Sequence, residues 1–319
     1  MTMGTSAFST FAAVGNREDI TDTIYRIDPT DTPFYSGVEK AKASAVNHEW
    51  QTQALRSVAA NAQLEGDDIT AVSRTPTVRL GNICQILYTS ARVTGTQRVV
   101  DHAGRDDEMA YQEMLAGLEL KRDIEYNLVG LSTAKVTGAT TTARKFASVN
   151  AWITTNTDKG GGTAADPTAA DGTSARVDSA TLSAFTEARL KNVIKKCFDQ
   201  GGKPTVVMLN SFNKQQFSTF TGRGTPMQDQ GERKITAAVD VYESDFGRLK
   251  VTPNRFMRQR DAFVLQMDMW ATAPLPGRSM VSFPLAKTGD SDAKVILSEM
   301  TLESRNEKAS GGVFDLTTA

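Results

Sequence analysis

Two stretches decide the fold: Val46-Asn47-His48-Glu49-Trp50-Gln51, and Pro76-Thr77-Val78-Arg79-Leu80-Gly81-Asn82-Ile83-Cys84-Gln85-Ile86-Leu87-Tyr88. In the first, Val46, His48 and Trp50 alternate with Asn47, Glu49 and Gln51, the period-two pattern of a half-buried strand. The second places Val78, Leu80, Cys84, Ile86 and Tyr88 on one face and Thr77, Arg79 and Gln85 on the other. Pro76 cannot donate to a ladder and marks the strand's beginning. Between the runs lies a polar, Ala-rich stretch with a turn-like acidic tip, Leu64-Glu65-Gly66-Asp67-Asp68. The pattern therefore predicts one long two-stranded hairpin over residues 46–90. A lone ribbon of that kind is marginal in water. It needs a surface to rest on, its own body or a neighbouring chain.

Working outward, residues 1–45 hold many large apolar groups (Phe8, Phe11, Ile20, Ile24, Tyr25, Ile27, Phe34 and Tyr35) among turn signals such as Asp28-Pro29-Thr30-Asp31-Thr32-Pro33. That mixture suits an arm lying on another surface. Residues 103–131 are free of proline and predict a long helix, with Asp106, Asp107 and Glu108 favourable at its positive end. Tyr111, Met114, Leu115 and Leu118 form one stripe on it, and Leu120, Ile124, Leu128 and Leu131 a second. Two stripes imply two partners, and Gly117 between them is compatible with a bend. Residues 132–180 are rich in Thr, Ala and Gly and predict a flexible surface loop with an apolar island at Trp152-Ile153. A second helix is expected over 181–199, burying Leu182, Phe185, Leu190, Val193, Ile194 and Cys197 and stopped by Gly201-Gly202. A strand over 205–209 leads into a helix capped by Asn210 or Ser211. Strands are expected at Thr236–Tyr242, Leu249–Thr252, Ala262–Gln266 and Lys294–Arg305.

The 319 residues carry 36 Lys and Arg against 37 Asp and Glu, a net charge of −1. That balance excludes a protein that coats nucleic acid through excess basic charge. No apolar run reaches the length of a membrane span, and the start of the chain lacks the features of a secretory signal. Catalytic patterns fail one after another. His48-Glu49 lacks the second His of a zinc helix, and two His in all cannot build a His-rich metal site. Asp101, His102, Asp106, Asp107 and Glu108 read as an acidic helix start ahead of a cation site. Gly201-Gly202-Lys203 runs into Pro204 where a phosphate loop needs Ser or Thr. Cys84 and Cys197 read as buried apolar groups. No catalytic, cofactor or metal residues are assigned, and no cofactor is expected.

The order of arm, hairpin, long helix, mixed lobe and closing strands resembles the tailed-phage major capsid proteins of Hong Kong 97-type fold. Short segments resemble a podovirus-like branch: Arg17-Glu18-Asp19-Ile20-Thr21-Asp22, Asp28 to Phe34, His48-Glu49-Trp50, Ala103-Gly104-Arg105, Leu285 to Asp290, and Thr301 to Gly312. The resemblance implies an α+β fold with an N-terminal arm (1–45), an extended β-hairpin loop (46–95), a peripheral domain with a spine helix (96–131 plus 276–319) and an axial domain (132–275). It implies a shell built of hexamers and pentamers around packaged double-stranded DNA, assembled in the host bacterial cytoplasm and carried in the virion. Partners would be the chain itself, a separate scaffolding protein, a portal and a decoration protein. Some relatives lock their shells by an isopeptide bond from a loop Lys. No Lys occurs between Lys42 and Lys121, so non-covalent contacts are expected. Candidate intersubunit residues are Trp50, the acidic tip (Glu65, Asp67, Asp68) and the basic patch Arg255, Arg258 and Arg260. An encapsulin-like compartment, an enzyme without a recognisable motif and a nucleic-acid-binding protein are the alternatives.

Overall fold

A computed structural model describes residues 28–68, 71–102, 104–220 and 240–318. In chain order the elements are α1 (Pro33–Gly37), β1 (Glu39–Lys40), β2 (Asn47–Thr52), β3 (Val78–Ile83), β4 (Gln85–Thr94) and α2 (Gly95–Val99). Next come α3 (Glu108–Val129), α4 (Val149–Trp152), β5 (Thr157–Asp158), α5 (Glu187–Asp199), β6 (Val206–Leu209) and α6 (Ser211–Ser218). The chain closes with β7 (Val241–Ser244), β8 (Gly247–Pro253), β9 (Ala262–Leu265), β10 (Trp270–Pro274), β11 (Val281–Pro284), β12 (Ser291–Ser304) and β13 (Gly311–Val313).

The 14-residue strand β12 organises the first sheet. β4 lies along one flank, from Ser291↔Thr94 to Met300↔Gln85. Along the other flank run β11 and β10, and β1 adds in parallel to β10. Residues opposite one another in antiparallel strands share a face. On one face Ile296 joins Leu120, Ile124 and Leu128 of α3 in the main core. The helix starts where the Asp107 carboxylate accepts the Met109 N–H at 2.9 Å, and it closes where the Gly130 N–H donates to the Tyr126 carbonyl at 2.8 Å. The second sheet runs β5-β13-β9-β6-β8-β7. Leu190, Val193, Ile194 and Cys197 of α5 belong to the core cluster it shares. Their i, i+3, i+4, i+7 spacing is what an amphipathic helix needs. α5 stops where Gly201 takes a φ of +86° and the Gly202 N–H returns to the Cys197 carbonyl. Asn210 caps α6 by accepting the Asn213 N–H.

Several expectations change. The hairpin is shorter than the sequence pattern implies: β2 and β3 pair over six residues each, after which β4 leaves to join β12. Cys84 sits between the strands, its N–H on the Val46 carbonyl at 2.7 Å. One residue outside the ladders reverses the side-chain parity. Leu87, Ala91 and Val93 therefore turn inward, and Ile86 and Tyr88, read as core-facing, point out. The 132–180 stretch is irregular but largely not a loose surface loop. Phe146, Ala147, Val149, Ala151, Trp152 and Ile153 are buried in the main core, so the apolar island is an anchor. Leu182 is exposed, and it lies outside α5. On α3 the stripe of Leu120, Ile124 and Leu128 is fully buried, Tyr111, Leu115 and Leu118 are half-buried, and Met114 is exposed. The helix runs unbroken through Gly117. The expected boundary at 275/276 parts β10 from β11 although both lie in the first sheet. β13, within 276–319, belongs to the second. The chain crosses between the sheets twice near its end. Residues 236–239 and the apolar groups from Phe8 to Ile27 lie outside the described residues.

Candidate intersubunit surfaces

Beyond the β2–β3 pair the chain projects. Every described residue from Gln53 to Thr77 is exposed, and none of them is in helix or strand. The base is pinned by Gln53, whose amide donates to the Thr75 carbonyl at 2.9 Å. At the tip, Gly66 takes a φ of +83° and the Asp67 N–H meets the Leu64 carbonyl, so the acidic turn forms as the sequence predicts. Along the loop Leu55, Val58 and Leu64 are at least 81% exposed, and Val72 is 64% exposed. These four aliphatic groups, standing in water among the described residues of a polar, Ala-rich segment, make it a candidate contact surface.

A second open surface lies on the sheet face away from α3. The register puts Tyr88, Leu297 and Val281 side by side, with Val295 and Phe283 in the next row but one. Ile86 and Tyr88 are exposed, as are Phe283 and, beyond the end of β11, Leu285. Ser90 and Arg92 continue the outward row of β4. Beside Ile86 a cleft of about 450 Å³ opens toward the small turn at Thr137–Arg144. This face escaped the sequence pattern because the parity shift at Cys84 is invisible in a run that alternates on both sides of it.

The candidate residues fall into three groups. Trp50 is half-buried: its indole N–H donates to the Ser304 carbonyl at 2.9 Å and its ring packs on Trp152 at 5.4 Å. It fastens the base of the ribbon to its own subunit. Glu65, Asp67 and Asp68 are exposed at the tip. The basic patch divides, with Arg255 exposed. Arg258 pairs with Asp178 and lies 3.4 Å from Asp261, and Arg260 reaches Asp315 at 2.6 Å and Asp178 at 3.5 Å. Those two charges are balanced inside the subunit. They belong to a network that also includes Arg176, which pairs with Asp166, donates to the Ile153 carbonyl at 2.6 Å and stacks on Phe314. Burial raises Asp166, but Lys159 and Arg176 hold it net below the usual carboxylate range. Asp261 is fully buried, and desolvation pushes it up to about 6 against the pull of Arg258.

The remaining chemical candidates resolve into structure. Glu108 is gripped by Arg105 and accepts from Gln112, while Asp107 caps α3, so the acidic cluster is a helix start. His48 lies in β2 with Nε2 3.2 Å from Glu303, whose carboxyl is held low by that contact and by Arg305. Burial pushes the Cys84 thiol up to about 11 and the Cys197 thiol up to about 12. The two thiols are thus poor nucleophiles.

The profile of the SU10 major capsid protein family matches residues 3–317. The major capsid protein of Escherichia phage Phieco32 is 26% identical over 348 residues, covering 96% of each chain. Among solved structures, the Cyanophage A-1(L) capsid superposes with a TM-score of 0.65 at 13% identity, covering 97% of this chain and 99% of that one. The Phage G structure of major capsid and decoration proteins superposes with a TM-score of 0.52 at 8% identity, covering 99% and 100%. At those identities the structures share the fold, which is that of tailed-phage capsids.

Proposed function

Because the chain belongs to the SU10 major capsid protein family, a family of shell-forming structural proteins and not enzymes, we propose that it closes its shell by laying residues 53–77 on the open sheet face of a neighbouring copy. The observation that carries this reading is the exposed loop, on which Leu55, Val58, Leu64 and Val72 stand open to solvent. Leu55, Val58, Leu64 and Val72 would cover Ile86, Tyr88 and Phe283, and the acidic tip would lie toward exposed cations such as Arg92 or Arg255. Burying a large aliphatic side chain contributes ~1.5–3 kcal/mol. An exposed ion pair contributes only ~0.2–1 kcal/mol. The apolar groups supply strength and the charges set register. Each subunit is held by several such contacts at once, so modest interfaces suffice.

In this reading the described part of the arm, the ribbon, the β12 sheet with α3, and the β6–β9 sheet correspond to arm, extended loop, peripheral and axial regions. Hexamers and pentamers enclose double-stranded DNA in the virion, after assembly in the host cytoplasm. A separate scaffolding protein, a portal and a decoration protein complete the set of partners. The contacts are non-covalent, because no Lys lies between Lys42 and Lys121. Replacing residues 54–76 with a short Gly-Ser turn tests the reading. The variant should stay folded, keep its thermal midpoint, and form no particles by negative-stain microscopy. On a denaturing gel of native shells this chain should run at 34.5 kDa with no cross-linked ladder above it. Normal particles from the shortened chain, or a cross-linked ladder from native shells, would contradict it.

A further inference from the structure

α1 has five residues, too few to persist alone. Its first position is Pro33, which has no N–H, and Thr32 before it provides no side-chain cap. The open donors at its start are therefore the Phe34 and Tyr35 amides. Both are met by one carboxylate from α3. Phe34 N–H donates to Glu125 Oε1 at 2.9 Å, and Tyr35 N–H to Oε2 at 2.7 Å. Asn254, just past β8, adds a bond from Nδ2 to Oε1 at 2.6 Å.

Glu125 is completely buried, about one turn from the C-terminal end of α3, and its three partners are neutral N–H groups. The Lys40 ammonium acts on it from further off, held on the Tyr35 carbonyl at 2.7 Å and over the Tyr35 ring. A buried carboxylate is costly, and packing alone would favour an apolar residue at this position. What the carboxylate gives in return is the fixed seat of α1. Phe34 beside it is fully buried and edge-on to Trp270 at 6.3 Å.

We propose that Glu125 is a positioning residue for assembly, a helix cap supplied across the fold that fixes α1 and so the direction in which residues 28–32 leave the body. The assembly consequence rests on the function proposed above, whereas the capping role does not. Hydrogen exchange on the full-length, unassembled subunit tests the capping role first. Glu125→Ala should speed exchange of the Phe34 and Tyr35 amides about tenfold, with the amides of α5 and β6 unchanged. Shell yield should fall several-fold. Adding Thr32→Asp places a carboxylate at the local cap position and should restore both protection and yield, which a pure packing role of Glu125 does not allow. Should Glu125→Ala not fold, Glu125→Gln keeps the volume and one acceptor, and one of the two amides should lose protection. Unchanged exchange in Glu125→Ala and Glu125→Gln, or no recovery with Thr32→Asp, overturns the capping role. Lost protection with undiminished shells overturns the link to assembly.

Discussion

Residues 53–77 and 132–180 look alike as sequence, both rich in small and polar residues and both largely without regular structure. In the fold they are opposites. The second closes on itself: Phe146 and Trp152 enter the core, Arg176 pairs with Asp166, and Asn150 donates to Asp261 at 2.7 Å. The first meets almost nothing, and its aliphatic groups stand in water. Irregular backbone must still satisfy its polar groups and cover its apolar ones. The 132–180 segment does so within the subunit, and the described residues of 53–77 do not. In the proposed shell, one stretch belongs to folding and the other to assembly.

That contrast can be broken at either end. The largest effect on the subunit should come from Trp152→Ala, which empties a fully buried site. It should lower unfolding stability by ~3–5 kcal/mol in denaturant titrations, whereas Leu55→Ala should change it by less than ~0.5 kcal/mol. Equal costs would erase the distinction. A smaller effect follows from Asp261. Its carboxyl, ordinarily at 3.8, is pushed up to about 6 by burial. Between those values the folded chain holds a proton that the unfolded chain has lost, so this group makes stability fall as pH rises through the window. Asp261→Asn should lack that slope and gain on the native chain between pH 4 and pH 7, by on the order of 2–3 kcal/mol at most. A gain in the opposite direction would show the carboxylate to be stabilised by Arg258 more than it is penalised by burial. The smallest effect belongs to the tip. Reversing Glu65, Asp67 and Asp68 to Lys should leave folding untouched and cut particle yield a few-fold at low salt, with the loss shrinking as salt is raised. Unchanged yield and shape at low salt would remove charge from the contact.

Elements with one clear period were legible in the sequence. α5 and the Asn210 cap followed directly from spacing and residue type, and the acidic turn at Gly66 from turn chemistry. The hairpin was legible in kind but not in length, because a single unladdered residue, Cys84, reverses parity without disturbing the alternation. Arg258 and Arg260 read as a surface patch because their partners, Asp178 and Asp315, are distant in sequence. Trp50 was singled out as an intersubunit candidate, whereas the contacts it makes here, with Trp152 and Ser304, are in the same chain. Glu125 gave no signal, since one acidic residue on a charged helix is ordinary until the amides above it are seen. The strands β10, β11 and β13 are short or carry Pro or Gly, and the sheet around β12 stabilises them more than their own propensity does.

In the proposed shell the ribbon of one subunit finds its cover on another. Cryo-electron microscopy of purified assembled particles addresses it directly, by locating residues 53–77. Leu55, Val58, Leu64 and Val72 should lie within contact distance of Ile86, Tyr88 or Phe283 of an adjacent subunit. A ribbon folded back on its own body, or a chain that stays monomeric at high concentration, would contradict it.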